Sequence, residues 1–98
     1  MDKQLGKIAR VAFGRGGYQD AMLGLTVVLT GEGWGTTDFW GTWNRPDALA
    51  ADNTTLEKIR VLLLAAKADT VADLQGKPVE VTFSAGRLES WRVLSEVL

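Results

Sequence analysis

From Ala21 to Thr30 the chain alternates in hydropathy. Leu23, Leu25, Val27 and Leu29 fall on one side, and Met22, Gly24, Thr26 and Val28 on the other. A period of two held over ten residues predicts a strand. Its second side is also fairly apolar, which fits a central strand covered on both faces. The same period, less regular, runs through residues 5–13. Lys7, Ala9, Val11 and Phe13 share one side there, and Ile8, Arg10 and Ala12 the other. Gly6 within this stretch points to a bulge or a close backbone approach. A third strand is expected over residues 36–43, with Phe39, Gly41 and Trp43 on one face and Asp38, Trp40 and Thr42 on the other. The pairing of Phe39 and Trp43 predicts that theirs is the core face.

The period then changes. After a loop over residues 44–53, Leu56, Ile59, Leu63 and Ala66 recur at helical spacing, with Leu62 widening the stripe. Thr54 and Glu57 have the spacing of a capping box, so a helix is expected from Thr55 to Ala68. Residues 69–78 add one further turn that ends near Gly76, with Pro78 blocking continuation. Val79, Val81 and Phe83 alternate inward on a short strand, and residues 84–87 (SAGR) form a hairpin turn. A last strand carries Trp91, Val93 and Val97 on one face. The order β-β-β-α-β-β predicts an α+β fold in a single domain spanning residues 1–98. It is either a small curled antiparallel sheet or an oligonucleotide-binding (OB)-like barrel, with one helix.

Composition narrows the chemistry. Of 98 residues, 46% are hydrophobic and 23% charged, the profile of a soluble globular domain. With 11 basic and 12 acidic residues the net charge is −1, so no global positive field draws in a nucleic-acid backbone, and nucleic acid is an unlikely partner on that ground. Cysteine and histidine are both absent, which excludes disulfides, thiol chemistry, imidazole triads and Cys/His zinc sites. The charged N-terminal stretch lacks an apolar signal region, and no apolar run is long enough to span a membrane, so the expected location is the cytoplasm.

Two stretches carry candidate binding chemistry. Gly14-Arg15-Gly16-Gly17-Tyr18 can turn successive amides into an anion-binding cradle, with the Arg15 guanidinium for phosphate and the Tyr18 ring for a base. It is neither a phosphate-binding P-loop nor a dinucleotide fingerprint, because the lysine and the following helix are missing. Trp34, Asp38 and Trp40, set among Gly33, Gly35 and Gly41, can offer a ring for a flat ligand and a carboxylate for its amino or hydroxyl groups. The blander roles are a glycine turn for the first stretch and core bulk for the second. Asp20 is expected to satisfy loop amides in an Asx-turn, and Lys58, Arg60 and Lys67 to form the solvated side of the helix. Asp20, Glu32 and Asp38 have no spacing that argues for a metal. If the second strand is straight, its ends hold the two candidate stretches about 30 Å apart. A homo-oligomer would be one way to unite them.

The blocks FGRGGYQDA, GWG..DFWG.W, GKPVEVTF and SWRVL.EVL resemble small proteins encoded by bacteriophages and prophages. The resemblance runs through nearly the whole chain. It implies a phage accessory protein acting in the host cytoplasm, of the kind that counters host defences, and it supplies no catalytic residues or cofactor. The expected function is therefore non-catalytic sequestration of a small anionic, nucleotide-like ligand. The alternatives are a protein-directed inhibitor of a host defence complex, in the manner of an anti-CRISPR protein, or an OB-like binder of single-stranded nucleic acid.

Overall fold

A computed structural model describes residues 2–98. Five strands form one antiparallel sheet: β1 (Asp2–Gly16), β2 (Met22–Gly31), β3 (Trp34–Trp43), β4 (Pro78–Ser84) and β5 (Arg87–Val93). A six-residue helix α1 (Pro46–Ala51) and the longer α2 (Thr55–Ala66) lie between β3 and β4. The strand order is β3-β2-β1-β4-β5, so β1 sits at the centre and β3 and β5 are the edges. This is the order of an OB-type barrel, with no backbone ladder joining β3 to β5.

Register decides what faces inward. Across the sheet Val11, Val27 and Asp38 stand opposite one another, as do Phe13, Leu25 and Trp40. Ile8 is opposite Leu29, and Val79 opposite Val93. This inner face packs on Ile59, Leu62 and Ala66 of α2 and on Leu74, which ends a short 3-10 turn over Val71–Leu74. Every residue in the buried core is apolar.

In β1 the expected alternation breaks at one residue. Ile8 is opposite Leu29 and Arg10 opposite Val28, so Ala9 is an unpaired bulge. The bulge puts Ile8, Val11 and Phe13 on one face although their spacing is odd. Gly6 provides the close approach rather than the bulge: a Cβ there would lie 2.3 Å from the Thr30 carbonyl oxygen and 2.7 Å from the Trp34 ring. A Cβ on Gly24 would fall 2.1 Å from the Trp40 carbonyl oxygen, so β2 and β3 touch where only glycine fits.

The face assignment of β3 is the reverse of the expectation. Trp34, Asp38 and Trp40 face the interior, while Phe39 and Trp43 stand on the outer face, Trp43 with 43% of its surface exposed. The Phe39 ring lies against Gly41 and Gly16, and these glycines give it a flat bed outside the core. α2 stops at Ala66 because Lys67 takes a left-handed conformation and its amide bonds the Leu63 and Leu64 carbonyls. β5 ends at Val93, and Val97 lies in a 3-10 turn with 65% exposure rather than on the strand face.

Candidate functional site

The two sheet edges meet through side chains. Trp40 of β3 and Trp91 of β5 stack with centroids 5.5 Å apart and planes 16° from parallel. Both indole N–H groups donate to Asp38 Oδ2, at 2.9 Å from Trp40 and 2.8 Å from Trp91. The other oxygen, Oδ1, accepts from the Phe39 amide at 2.9 Å. Towards the opposite end of the interior, Trp34 meets Phe83 of β4 edge to face at 5.3 Å. Its indole nitrogen is buried and has no acceptor among the described residues. Asp38 and Trp40 share a face as expected, and Trp34, which begins β3 rather than lying in the turn, shares it too, but these groups are directed at one another and at the far edge. Neither tryptophan stands out as an exposed hot spot for a protein partner.

α2 packs against both β3 and β5 above this seam. The Lys58 ammonium sits 5.6 Å from the Trp40 ring centroid, a cation–π distance, so this lysine is more than a solvated charge. Beside it a cleft of about 500 Å³ is walled by Val61, Ala65, Trp91 and Val93. Arg92 at its rim is bound by Glu96 and Glu80, which raise the guanidinium above its ordinary value, and Arg92 in turn holds the Glu96 carboxyl below its own. Arg60 is held in the same way by Glu57.

The glycine stretch is strand rather than cradle. β1 continues to Gly16, with Gly14 opposite Gly24 and Gly16 opposite Met22. The Leu23 carbonyl points at β3 and the Thr30 carbonyl at β1. Even-numbered residues of β2 therefore bond β1, and the amides of Gly14 and Gly16 are spent on that ladder. Gly17 has φ 69°, and Tyr18–Asp20 make a 3-10 turn with Gln19 and Asp20 at positive φ. Among the described residues nothing donates to the Asp20 carboxylate, so the expected Asx-turn is not formed. Arg15 and Tyr18 are both exposed, Tyr18 by 67%. The ten residues of β2 separate this tip from Trp34, about 30 Å along the strand. Asp20, Glu32 and Asp38 occupy three separate places, and no cluster suited to a metal ion exists among the described residues.

The outer face of β1–β3 gathers what the sequence pattern left unconnected. Its rows are Lys7, Thr30 and Gly35; Arg10, Val28 and Thr37; Ala12, Thr26 and Phe39; Gly14, Gly24 and Gly41; and Gly16, Met22 and Trp43. Lys3 extends it, opposite Thr82. No carboxylate stands in these β1–β3 rows; the nearest are Glu80 of β4, opposite Leu5 and ion-paired with Arg92, and Glu32, which lines a shallow cleft with Lys7 and Thr30. Among the described residues the ion pairs engage Arg45, Arg60 and Arg92, and leave Lys3, Lys7, Arg10 and Arg15 of β1 unneutralised. Asp47, Asp52, Glu57, Asp69, Asp73 and Glu96 lie on the helices and turns and Glu89 on β5, while Asp38 faces inward. The signal available in the sequence was β1 itself, which carries four cations against Asp2 alone.

No protein-family model matches the chain, and neither does any curated protein or solved structure.

Proposed function

We propose that the protein is a non-catalytic binder of single-stranded nucleic acid, which it holds along the outer face of β1–β3. The observation that carries this reading is the coincidence on one outer face of Lys3, Lys7 and Arg10 with the rings of Phe39 and Trp43, where the one carboxylate beside the cations on the neighbouring strand, Glu80, is already paired with Arg92. Cations along a strand follow a phosphate backbone, and rings on an outer face, here Trp43 exposed and Phe39 half-buried, give bases a stacking surface worth roughly 1–3 kcal/mol each. The net charge of −1 told against such a partner when spread over the chain. It ceases to do so once most of the acids are on other surfaces and Glu80 is paired with Arg92. Arg15, opposite Leu23, projects from the other side of the strand, and Tyr18 lies in the turn just beyond the Gly16–Met22–Trp43 row, so the two form no separate cradle with this face. The reading of a small-nucleotide sponge loses the amides it relied on, since those of Gly14 and Gly16 are already bonded.

The test is fluorescence anisotropy with a labelled thymidine oligonucleotide of about 12 nucleotides, within the usual span of one such domain. Binding should quench tryptophan emission and weaken with salt. Neutralising three phosphates gives a slope of about −2 in log K against log salt. Trp43→Ala and Arg10→Glu should each reduce affinity about tenfold or more with the far-UV spectrum unchanged. No binding at micromolar protein in low salt overturns the proposal. Cyclic di- and trinucleotides that bind while the oligonucleotide does not would return the reading to a small ligand at the Arg15–Tyr18 tip.

A further inference from the structure

Backbone accounting along β1 exposes an unfinished sheet edge. Residues 2–7 of β1 pair with β4 on one side, and residues 6–16 with β2 on the other. Beyond Lys7 the β4 side is closed for one more residue: the Ile8 amide donates to the Lys77 carbonyl at 2.9 Å, and the Gly76 amide to the Ile8 carbonyl at 2.7 Å. From Arg10 to Gly16 that side has no strand. Even-numbered residues there bond β2, so Val11, Phe13 and Arg15 turn their amides and carbonyls to the open side. Among the described residues none of these groups has a hydrogen-bond partner. Natural sheets blunt such an edge with proline, a bulge, a covering segment or charged side chains; from Arg10 to Gly16 there is no proline and no bulge, and charge stands only near the two ends, at Arg10 and Arg15.

We propose that this edge is completed by the same edge of a second copy, paired antiparallel about a two-fold axis through Phe13. The open stretch has seven residues, and Phe13 is its midpoint. It also has the phase that turns its backbone groups outward. Pairing residue 13 with its counterpart, and residue 11 with residue 15 in both directions, satisfies all the outward amides and carbonyls at once. A register shifted by one pair on either side leaves some of them without partners. In this register Arg10 faces Gly16 and Arg15 faces Val11 of the second copy, so no like charges stand opposite each other. The pairing stops where Gly76 and Lys77 close the strand in one copy and Gly17 turns the chain in the other. Phe13 is 54% exposed, and the two rings meet on the inner side at the axis. Leu23, Leu49 and Leu56 line a cleft of about 300 Å³ next to each ring. A symmetric contact of this kind closes on itself as a dimer. The outer faces of β1–β3 in the two copies then join into one six-stranded surface, but the dimer stands or falls independently of what that surface binds.

Sedimentation velocity across a concentration series, with single-cysteine cross-linking, tests the dimer. The chain has no cysteine, so an introduced thiol is unique. In the proposed register the two residues 13 are a hydrogen-bonded pair with Cα atoms about 5.5 Å apart, within the reach of a disulfide. Phe13→Cys should cross-link under mild oxidation, while Thr37→Cys on the outer face should not. Phe13→Pro removes a donor at the axis and should lower the dimer association constant at least tenfold with the far-UV spectrum preserved. A protein that remains monomeric at tens of micromolar overturns the proposal. So does a dimer that survives Phe13→Pro, or one that cross-links equally well through residue 37.

Discussion

Asp38 is the residue on which the closure of the sheet turns. One of its oxygens takes two indole donors from opposite edges, and the other takes a backbone amide. Asp38→Asn keeps the shape but replaces one acceptor with a donor. Either the two indoles or the Phe39 amide then face an N–H group, at a cost of about 1–3 kcal/mol. The measurement is the urea midpoint together with the near-UV dichroism of the stacked tryptophans. An unchanged midpoint would refute this role. That Asp38 and Trp40 share a face was readable from their spacing of two. Which face was inside was not readable, because both sides of β3 carry rings and glycines, and alternation supplies parity without direction. Trp91 escaped notice as part of the cluster because it lies 53 residues from Asp38. The two meet only through the curl of the sheet, for which no local pattern exists.

At the scale of the element, α2 was the most legible part of the chain, since its period, its start at Thr55 and the burial of Ile59, Leu62 and Ala66 follow from spacing, although Leu56 of the expected stripe is 77% exposed. Its cap was not. Glu57 is drawn away by Arg60, and the amides of Thr54 and Thr55 donate instead to Asp52, at 2.9 and 3.1 Å. Bonded first by the Thr55 hydroxyl and then by these amides, the Asp52 carboxyl is lowered from 3.8 to about 2. The capping box itself forms elsewhere, between Thr70 and Asp73. A folded-state value below the unfolded one means that Asp52 stabilises fully above about pH 4 and that this contribution is lost as the pH falls through about 2. The wild-type urea midpoint should therefore drop across that acid window. Asp52→Asn should start lower at neutral pH and drop less. Parallel titration curves for the two proteins would exclude this assignment. β1 shows the opposite case: its alternation was visible, but one extra residue inverted the second half, and nothing in the side chains at positions 8–10 marks where pairing will skip.

For the whole molecule, the element order and the antiparallel sheet followed from the pattern, while the distribution of charge did not. A count of 11 against 12 is silent about where the charges go, and only the pairing register sorts three of β1's four cations, Lys3, Lys7 and Arg10, onto a face with Phe39 and Trp43. The curl also depends on contacts that no composition reveals. Gly24→Ala would force a Cβ to within 2.1 Å of the Trp40 carbonyl oxygen and push β3 outward. The expected loss is about 1–3 kcal/mol, read from chemical denaturation, with faster amide exchange along β3 and β5. Equal exchange in the variant and the parent would mean that the seam does not depend on this approach.

Ala9 offers a way to separate sidedness from curvature. Because it is supernumerary, a chain lacking it would keep Ile8 and Val11 within and Arg10 without, each opposite its present neighbour. Only the bend would go. Such a chain should still assemble five strands with their cations outward, yet it would be too straight for its first and last rims to meet, and the indole pair would part. Sheet content retained alongside a vanished tryptophan exciton would mark that single alanine as the source of the arc.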